Sequence, residues 1–132
     1  MKCLLDTGVF LWSMDSFEKL NQAAQDILTG VGKHELYLSA VSAWEIAIKS
    51  GLGKLQLPEP PTLYVPNRMR MQDIKALTVT HTHALGVSDL DLHHKDPFDR
   101  LLIAQARTEG MTLMTADFDL RKYPVEILWS GK

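Results

Sequence analysis

The chain has 132 residues, 45% of them hydrophobic, with a net charge of −2 from 14 Lys+Arg and 16 Asp+Glu. That is the size and apolar content of one domain with one core, needing neither disulfide nor metal staples, and residues 1–132 are read as a single domain. The charge balance excludes strong non-specific nucleic-acid binding through global charge, though not a local basic patch. A single cysteine, Cys3, excludes an internal disulfide and fits a reducing cytoplasm. No apolar run approaches membrane-spanning length, and nothing at the start reads as a signal peptide.

The first stretch, MKCLLDTGVF, organises the rest. Cys3-Leu4-Leu5 is a short apolar run closed by Asp6-Thr7-Gly8, which reads as a buried strand ending in a carboxylate. In an open α/β sheet, ligands bind at that edge. Val9 to Trp12 predicts a short helix over the sheet edge. Ser16 can cap a helix running to about Leu28, with Phe17, Leu20, Ala24, Ile27 and Leu28 at helical spacing. Glu35 to Leu38 predicts a second strand, and Ser39 to Ser50 a helix whose buried stripe is Val41, Trp44, Ile48 and Leu52. Glu45 falls on that stripe, and a carboxylate aimed at the core needs an explanation.

Leu57 to Pro61 reads as a rigid extended connector. Leu63 to Met71 reads as a helix, with Pro66 forcing a late start or a kink. A turn over Asp73 to Lys75, a third strand at Leu77 to Val79 and a short helix over Ala84 to Val87, capped by Thr80, come next. After the polar loop Asp89 to Lys95, Asp96 and Pro97 make an N-cap followed by proline at the first helical position. That helix runs to about Glu109 and stops at Gly110, with Asp99 leaning toward its buried face. Met111 to Thr115 is a fourth strand with Asp117 just past its end, Phe118 to Lys122 a short turn or helix, and Val125 to Trp129 a last strand. Strands alternating with helices predict an α/β fold, a mostly parallel central sheet with helices on both faces. Right-handed crossovers then bring Asp6, Glu45, Asp99 and Asp117 to one cleft.

Four carboxylates in one cleft repel each other unless a cation offsets them. Hard oxygen donors suit Mg²⁺ or Mn²⁺, and a metal so held lowers the pKa of water for attack on a phosphodiester. No His/Cys spacing suggests zinc, and no Gly-rich loop followed by Lys suggests an NTPase. Each acid also has a plainer reading. Asp6 can cap a turn, and Asp117 can cap the turn at Phe118 to Lys122. Glu45 can complete a capping box with Ser42 or pair with Lys49. Asp96 is an N-cap, and Asp99 suits the helix dipole in any protein. His93 and His94 read as a solvated loop pair, and Arg100 is a possible additional site residue, although an arginine so placed is more often a solvated helix residue than a phosphate contact. Four acids at four matching topological positions favour the shared site over four separate explanations.

The segments LLDTGVFLW, SAVSAWEIAIKSGLGKLQLP, HHKDPFDRLLIAQA and TLMTADFDL together resemble the PIN domain, most closely the VapC-type toxins of type II toxin–antitoxin pairs. Leu57 to Lys75 carries no recognised motif. The resemblance implies a compact PIN-like α/β/α sandwich and a Mg²⁺- or Mn²⁺-dependent endoribonuclease with an RNA substrate. It maps the acidic positions onto Asp6, Glu45, Asp99 and Asp117. Asp6 and Asp99 are then the main metal ligands, Asp117 assists directly or through water, and Glu45 positions or deprotonates the attacking water. It adds Asp96 as a further acid of the HHxDPFDR subgroup and Thr115 as a supporting polar residue. It also implies a homodimer and a cognate antitoxin through which operator DNA is bound. Alternatives are a PIN-fold nuclease in RNA processing or DNA cleavage outside a toxin system, and a non-catalytic PIN-fold binding module. The tripeptide Asp6-Thr7-Gly8 also resembles the aspartic-protease motif, but that fold is all-β and this chain carries several helix patterns.

Overall fold

A computed structural model describes residues 1–91 and 96–132; the His93-His94 pair lies outside them. Five strands, β1 (Lys2–Leu5), β2 (Glu35–Ser39), β3 (Ile74–Leu77), β4 (Thr112–Thr115) and β5 (Ile127–Trp129), form one sheet in the order β3-β2-β1-β4-β5. All four pairings are parallel, with Leu5 level with Leu38 on one side and with Met114 on the other. Six α-helices join them: α1 (Thr7–Asp15), α2 (Gln22–Leu28), α3 (Ala40–Gly51), α4 (Pro61–Met71), α5 (His81–Gly86) and α6 (Pro97–Glu109). The fold is a three-layer α/β/α sandwich.

Strand alternation makes the layers. Side chains of a strand point to opposite faces in turn, so Cys3 and Leu5 enter one core with Phe10, Ile27, Ile46, Tyr64 and Met114. Leu4 enters the other with Leu102, Ile103, Leu113 and Leu120. Both faces of β1 are covered, which is why its sequence is continuously apolar rather than alternating. Among the described residues no helix is long and apolar enough to cross a membrane. The all-β aspartic-protease reading is excluded by this fold.

Several boundaries differ from the sequence-based expectation, each for a local reason. The helix expected from Ser16 to Leu28 is broken: Phe17–Lys19 is a 3₁₀ turn, and Asn21 caps α2 by accepting the Ala24 N–H at 2.9 Å. α4 starts at Pro61 rather than Leu63, because proline lacks only an N–H that a first-turn residue does not use. β3 lies over Ile74–Leu77, ahead of the expected Leu77 to Val79, and aligning Ile74 with Leu36 buries Ile74 in the core. The buried side of α3 is Val41, Ser42, Glu45 and Ile46, while Trp44 and Leu52 are exposed. The helix is turned to bury two polar side chains, and Trp44 instead meets Phe98 edge-on at 5.1 Å. The expectations for α6 stand: Asp96 caps it, Pro97 opens it, and Gly110 closes it at φ 66°, a conformation that suits glycine.

Leu5 has no exposed surface and sits mid-sheet between β2 and β4. Leu5→Ala should lower unfolding free energy by about 3 kcal/mol, from lost transfer energy plus the cavity left behind, read as a shift of the urea midpoint with the slope unchanged.

Candidate active site

Because every pairing is parallel, the strands end on a common edge. The chain runs from β1 to β2 and β3 on one side, then returns to place β4 on the other side of β1. The order therefore reverses between β1 and β4, and a crevice opens there. Asp6 is the residue after β1, and its N–H donates to the Met114 carbonyl at 3.0 Å. Thr115 ends β4 beside it, and its hydroxyl donates to Asp6 Oδ2. Asp6 Oδ1 accepts the Val9 N–H at 2.8 Å and caps α1. Both carboxylate oxygens are thus engaged in a side chain only 7% exposed.

Thr115 Oγ1 also accepts the Asp117 N–H at 3.0 Å, which fixes the backbone one step beyond the strand. Asp117 Oδ1 accepts the Asp119 N–H at 2.9 Å and caps the 3₁₀ turn Phe118–Lys122. From α3, Glu45 is 5% exposed. Thr7 Oγ1 lies 2.7 Å from Glu45 Oε1 and 2.9 Å from Ser42 Oγ. A hydroxyl has one proton. Thr7 gives it to the carboxylate, and Ser42 donates to Thr7. The Lys49 ammonium donates to Glu45 Oε2 at 2.6 Å. Of the two alternatives for Glu45, the lysine pair is the one present. The capping box is not, because α3 begins at Ala40 with Ser39 as its cap. At the start of α6, Asp96 Oδ1 accepts the N–H groups of Phe98 at 2.9 Å and Asp99 at 3.3 Å.

Asp6, Glu45, Asp96, Asp99 and Asp117, with Asp119 and Lys49, line one cavity of about 630 Å³. The four acids singled out in the sequence, and Asp96, are therefore brought together. Thr115 stands beneath them through Asp6. Arg100 is not brought there: its guanidinium donates to the carbonyls of Val87, Leu90 and Asp91 and to the Tyr123 hydroxyl. Its position one residue after Asp99 turns it to a different side of α6. Thr7 and Asp119 were not singled out as site residues, and Ser42 only as a capping-box partner of Glu45. Ser42, three before Glu45, was readable as a neighbour on the same helix face; Thr7 carried no signal of its own.

Burial pushes the Asp6 pKa up to about 6. The hydrogen bonds from Thr115 and Val9 pull the other way, and the nearby Asp117 and Glu45 charges add to the rise. Conversely, the hydrogen bond to Glu45 holds the Lys49 ammonium above the usual lysine range, aided by the fields of Glu45, Asp96 and Asp99. The Asp6 carboxyl resists ionisation chiefly because it is buried, and the acid charges around it and around Lys49 add a smaller push in the direction that favours positive charge in the cavity. All-oxygen donors of this kind fit a hard divalent cation. Among the described residues no three acidic, His or Cys side chains are already gathered as a ready metal cage. Mg²⁺ tolerates that, since it usually keeps several waters and takes only one or two carboxylates.

The PIN domain family model matches residues 3–126. Over 69 residues the chain is 44% identical to Ribonuclease VapC16 of Mycobacterium tuberculosis; the match takes in 52% of this chain and 45% of that protein, so the chain spans about half the length of the curated relative it matches. Three solved structures share the fold. VapBC2 from Rickettsia felis, bound to a DNA fragment from their promoter, matches with a TM-score of 0.75 at 13% identity, covering 98% of this chain and 99% of that one. VapBC-1 from nontypeable Haemophilus influenzae matches at 0.67 and 14%, covering 97% of each. A toxin–antitoxin complex from Klebsiella pneumoniae matches at 0.63 and 14%, covering 96% of each.

The pKa of Asp6 has a consequence for stability. Its folded value stands above the ordinary 3.8, so the contribution of this group is fully present below about pH 4 and lost as pH rises through about 6. The loss at neutral pH is on the order of 3 kcal/mol. In chelator, Asp6→Asn should therefore gain stability over the wild type between pH 4 and 7.5. Saturating Mg²⁺ should raise the wild-type Tm at pH 7.5 more than at pH 5, and leave the Asn variant unmoved. Thermal melts across pH with and without Mg²⁺ check all three.

Proposed function

The chain belongs to the PIN domain family, and from that premise we propose that it is a divalent-metal-dependent endoribonuclease, the toxin of a type II toxin–antitoxin pair. The observation that carries this reading is the buried Asp6 at the crevice between β1 and β4, sharing one cavity with Glu45, Asp99 and Asp117. The part-length likeness to Ribonuclease VapC16 supports ribonuclease activity, and the folds shared with VapBC complexes support an antitoxin partner. Residues 1–132 act as one domain, dimeric, in the cytoplasm, with operator DNA bound only through the antitoxin.

Asp6, Asp99 and Asp117 hold Mg²⁺ or Mn²⁺, with Asp96 beside them. When bound, the ion supplies a water of lowered pKa and offsets charge on the phosphoryl oxygens. The protein's own side chains do the rest. Glu45 accepts a proton from the attacking water. Thr7 and Lys49 each fix one of its oxygens, so the carboxylate enters the reaction already aligned. Thr115 holds Asp6 in its orientation while Asp6 also caps α1, so the carboxylate cannot swing away from the cavity. Attack in line on an RNA phosphodiester, with no 2′-hydroxyl nucleophile, leaves 5′-phosphate and 3′-hydroxyl ends. The alternative of a non-catalytic module is disfavoured because each of the four acids is present and faces the same cavity.

Purified free of its co-expressed upstream partner, the protein should cleave RNA only with Mg²⁺ or Mn²⁺. Asp6→Asn should abolish cleavage. Glu45→Gln should slow it by about 10²–10⁴-fold, the usual worth of a general base, while circular dichroism stays that of the wild type. Full activity in a folded Asp6→Asn protein would refute the assignment.

A further inference from the structure

The acidic cavity has an aromatic margin that the hydrolytic chemistry leaves unused. Phe118 follows Asp117 directly, lines the same cavity and is 65% exposed. Its ring rests on Trp129, with centroids 4.5 Å apart and planes at 33°. The Arg121 guanidinium lies 5.2 Å from the Phe118 centroid and 4.7 Å from that of Trp129. Behind Trp129 the chain is bare backbone: a Cβ on Gly131 would come within 3.3 Å of the indole Cζ2 and 3.1 Å of the Ala116 Cβ. Trp129 is thus seated between Gly131 and the Phe118–Arg121 pair, and Phe118 is presented on a rigid backing. Trp12, also in the lining, carries the Lys19 ammonium 5.5 Å from its ring.

Beyond the cation it would hold and Lys49, the acid-lined cavity offers a phosphodiester backbone little to bind, so a strand entering it gains from being held at the margin. Aromatic faces with a cation alongside suit that task. A base stacks on the ring without regard to its identity, and the guanidinium meets the backbone. A partner polypeptide would look for a wide apolar surface; among the described residues lining this cavity Phe118 is the one exposed ring, bordered by Arg121 and Asp119, which suits a nucleotide better. Phe118 is covalently next to Asp117, so a base on it belongs to a nucleotide beside the phosphate at the acids. We infer that Phe118, backed by Trp129 and flanked by Arg121, is the stacking site for a nucleobase adjoining the cut, and so requires that base to be unpaired. This subsite rests on the ribonuclease reading given above.

The test is steady-state cleavage of an RNA oligonucleotide, intact or with one abasic nucleotide next to the cut, by wild type, Phe118→Ala and Phe118→Trp. Phe118→Ala should raise KM about tenfold, within the range alanine substitution of such rings produces, with kcat little changed and the Mg²⁺-induced Tm shift intact. Phe118→Trp should restore KM. The abasic substrate should raise KM for the wild type and add nothing further in Phe118→Ala, because base and ring are the two halves of one contact. A wild-type KM in folded Phe118→Ala overturns the inference, as do abasic and alanine effects that simply multiply. Loss of the co-purifying partner from Phe118→Ala with KM unchanged makes the ring a protein contact and equally overturns it. If the wild type cleaves no RNA at all, the ribonuclease reading falls and takes the subsite with it, an outcome recognisable because it does not depend on residue 118.

Discussion

The carboxylate of Asp6 is taken out of water at the end of the central strand, and the surrounding structure is arranged to tolerate it. The Thr115 hydroxyl and the Val9 N–H donate to its two oxygens, yet burial still outweighs them and keeps the acid hard to ionise. The same contacts build the fold. The Val9 bond starts α1, and the Thr115 bond fastens β1 to β4 at the point where the strand order reverses. A group this costly to bury survives because stopping the strand, opening the helix and facing the cavity require the same position.

That economy recurs around the cavity. Asp6, Asp96 and Asp117 each cap a helix or turn, and each uses Oδ1 for the backbone amides. A capped carboxylate is pinned in direction and keeps further lone pairs for another donor or a cation. Capping and cation binding are therefore compatible roles, and the backbone supplies the rigidity that a small cluster of short acids needs. Glu45 is longer and sits mid-helix, so it is fixed differently, by the Thr7 hydroxyl on one oxygen and Lys49 on the other.

Much of this was legible in the chain. The strand ending in Asp6, the Asp96-Pro97 cap, the parallel sheet and the convergence of the four acids follow from apolar runs, turn residues and the handedness of crossovers. What escaped depends on tertiary contact. The rotation of α3 was misread because Trp44 and Leu52 look like core and Ser42 does not; burial there is decided by completing a polar network rather than by hydrophobicity. Thr7 was read as a strand breaker and as part of the Asp6-Thr7-Gly8 tripeptide, not as a partner of Glu45, since its value lies in meeting that residue across 38 positions of chain. Arg100 looked available next to Asp99, but carbonyls beyond the end of α5 claim it. The acids were visible in residue type and spacing, whereas the groups that hold them in place were visible only once the helices had packed.

The bond between residues 6 and 115 spans 109 positions, and β1 cannot gain its second neighbour until β4 exists. During translation the amino-terminal strand must wait, flanked at first only by β2, for the closing strand to clear the ribosomal tunnel. Contacts so distant in sequence form late in folding. Half-made copies can therefore carry Asp6 and Glu45 without Thr115 or Asp117, and the acidic cluster is complete only once β4 and the turn after it have been made.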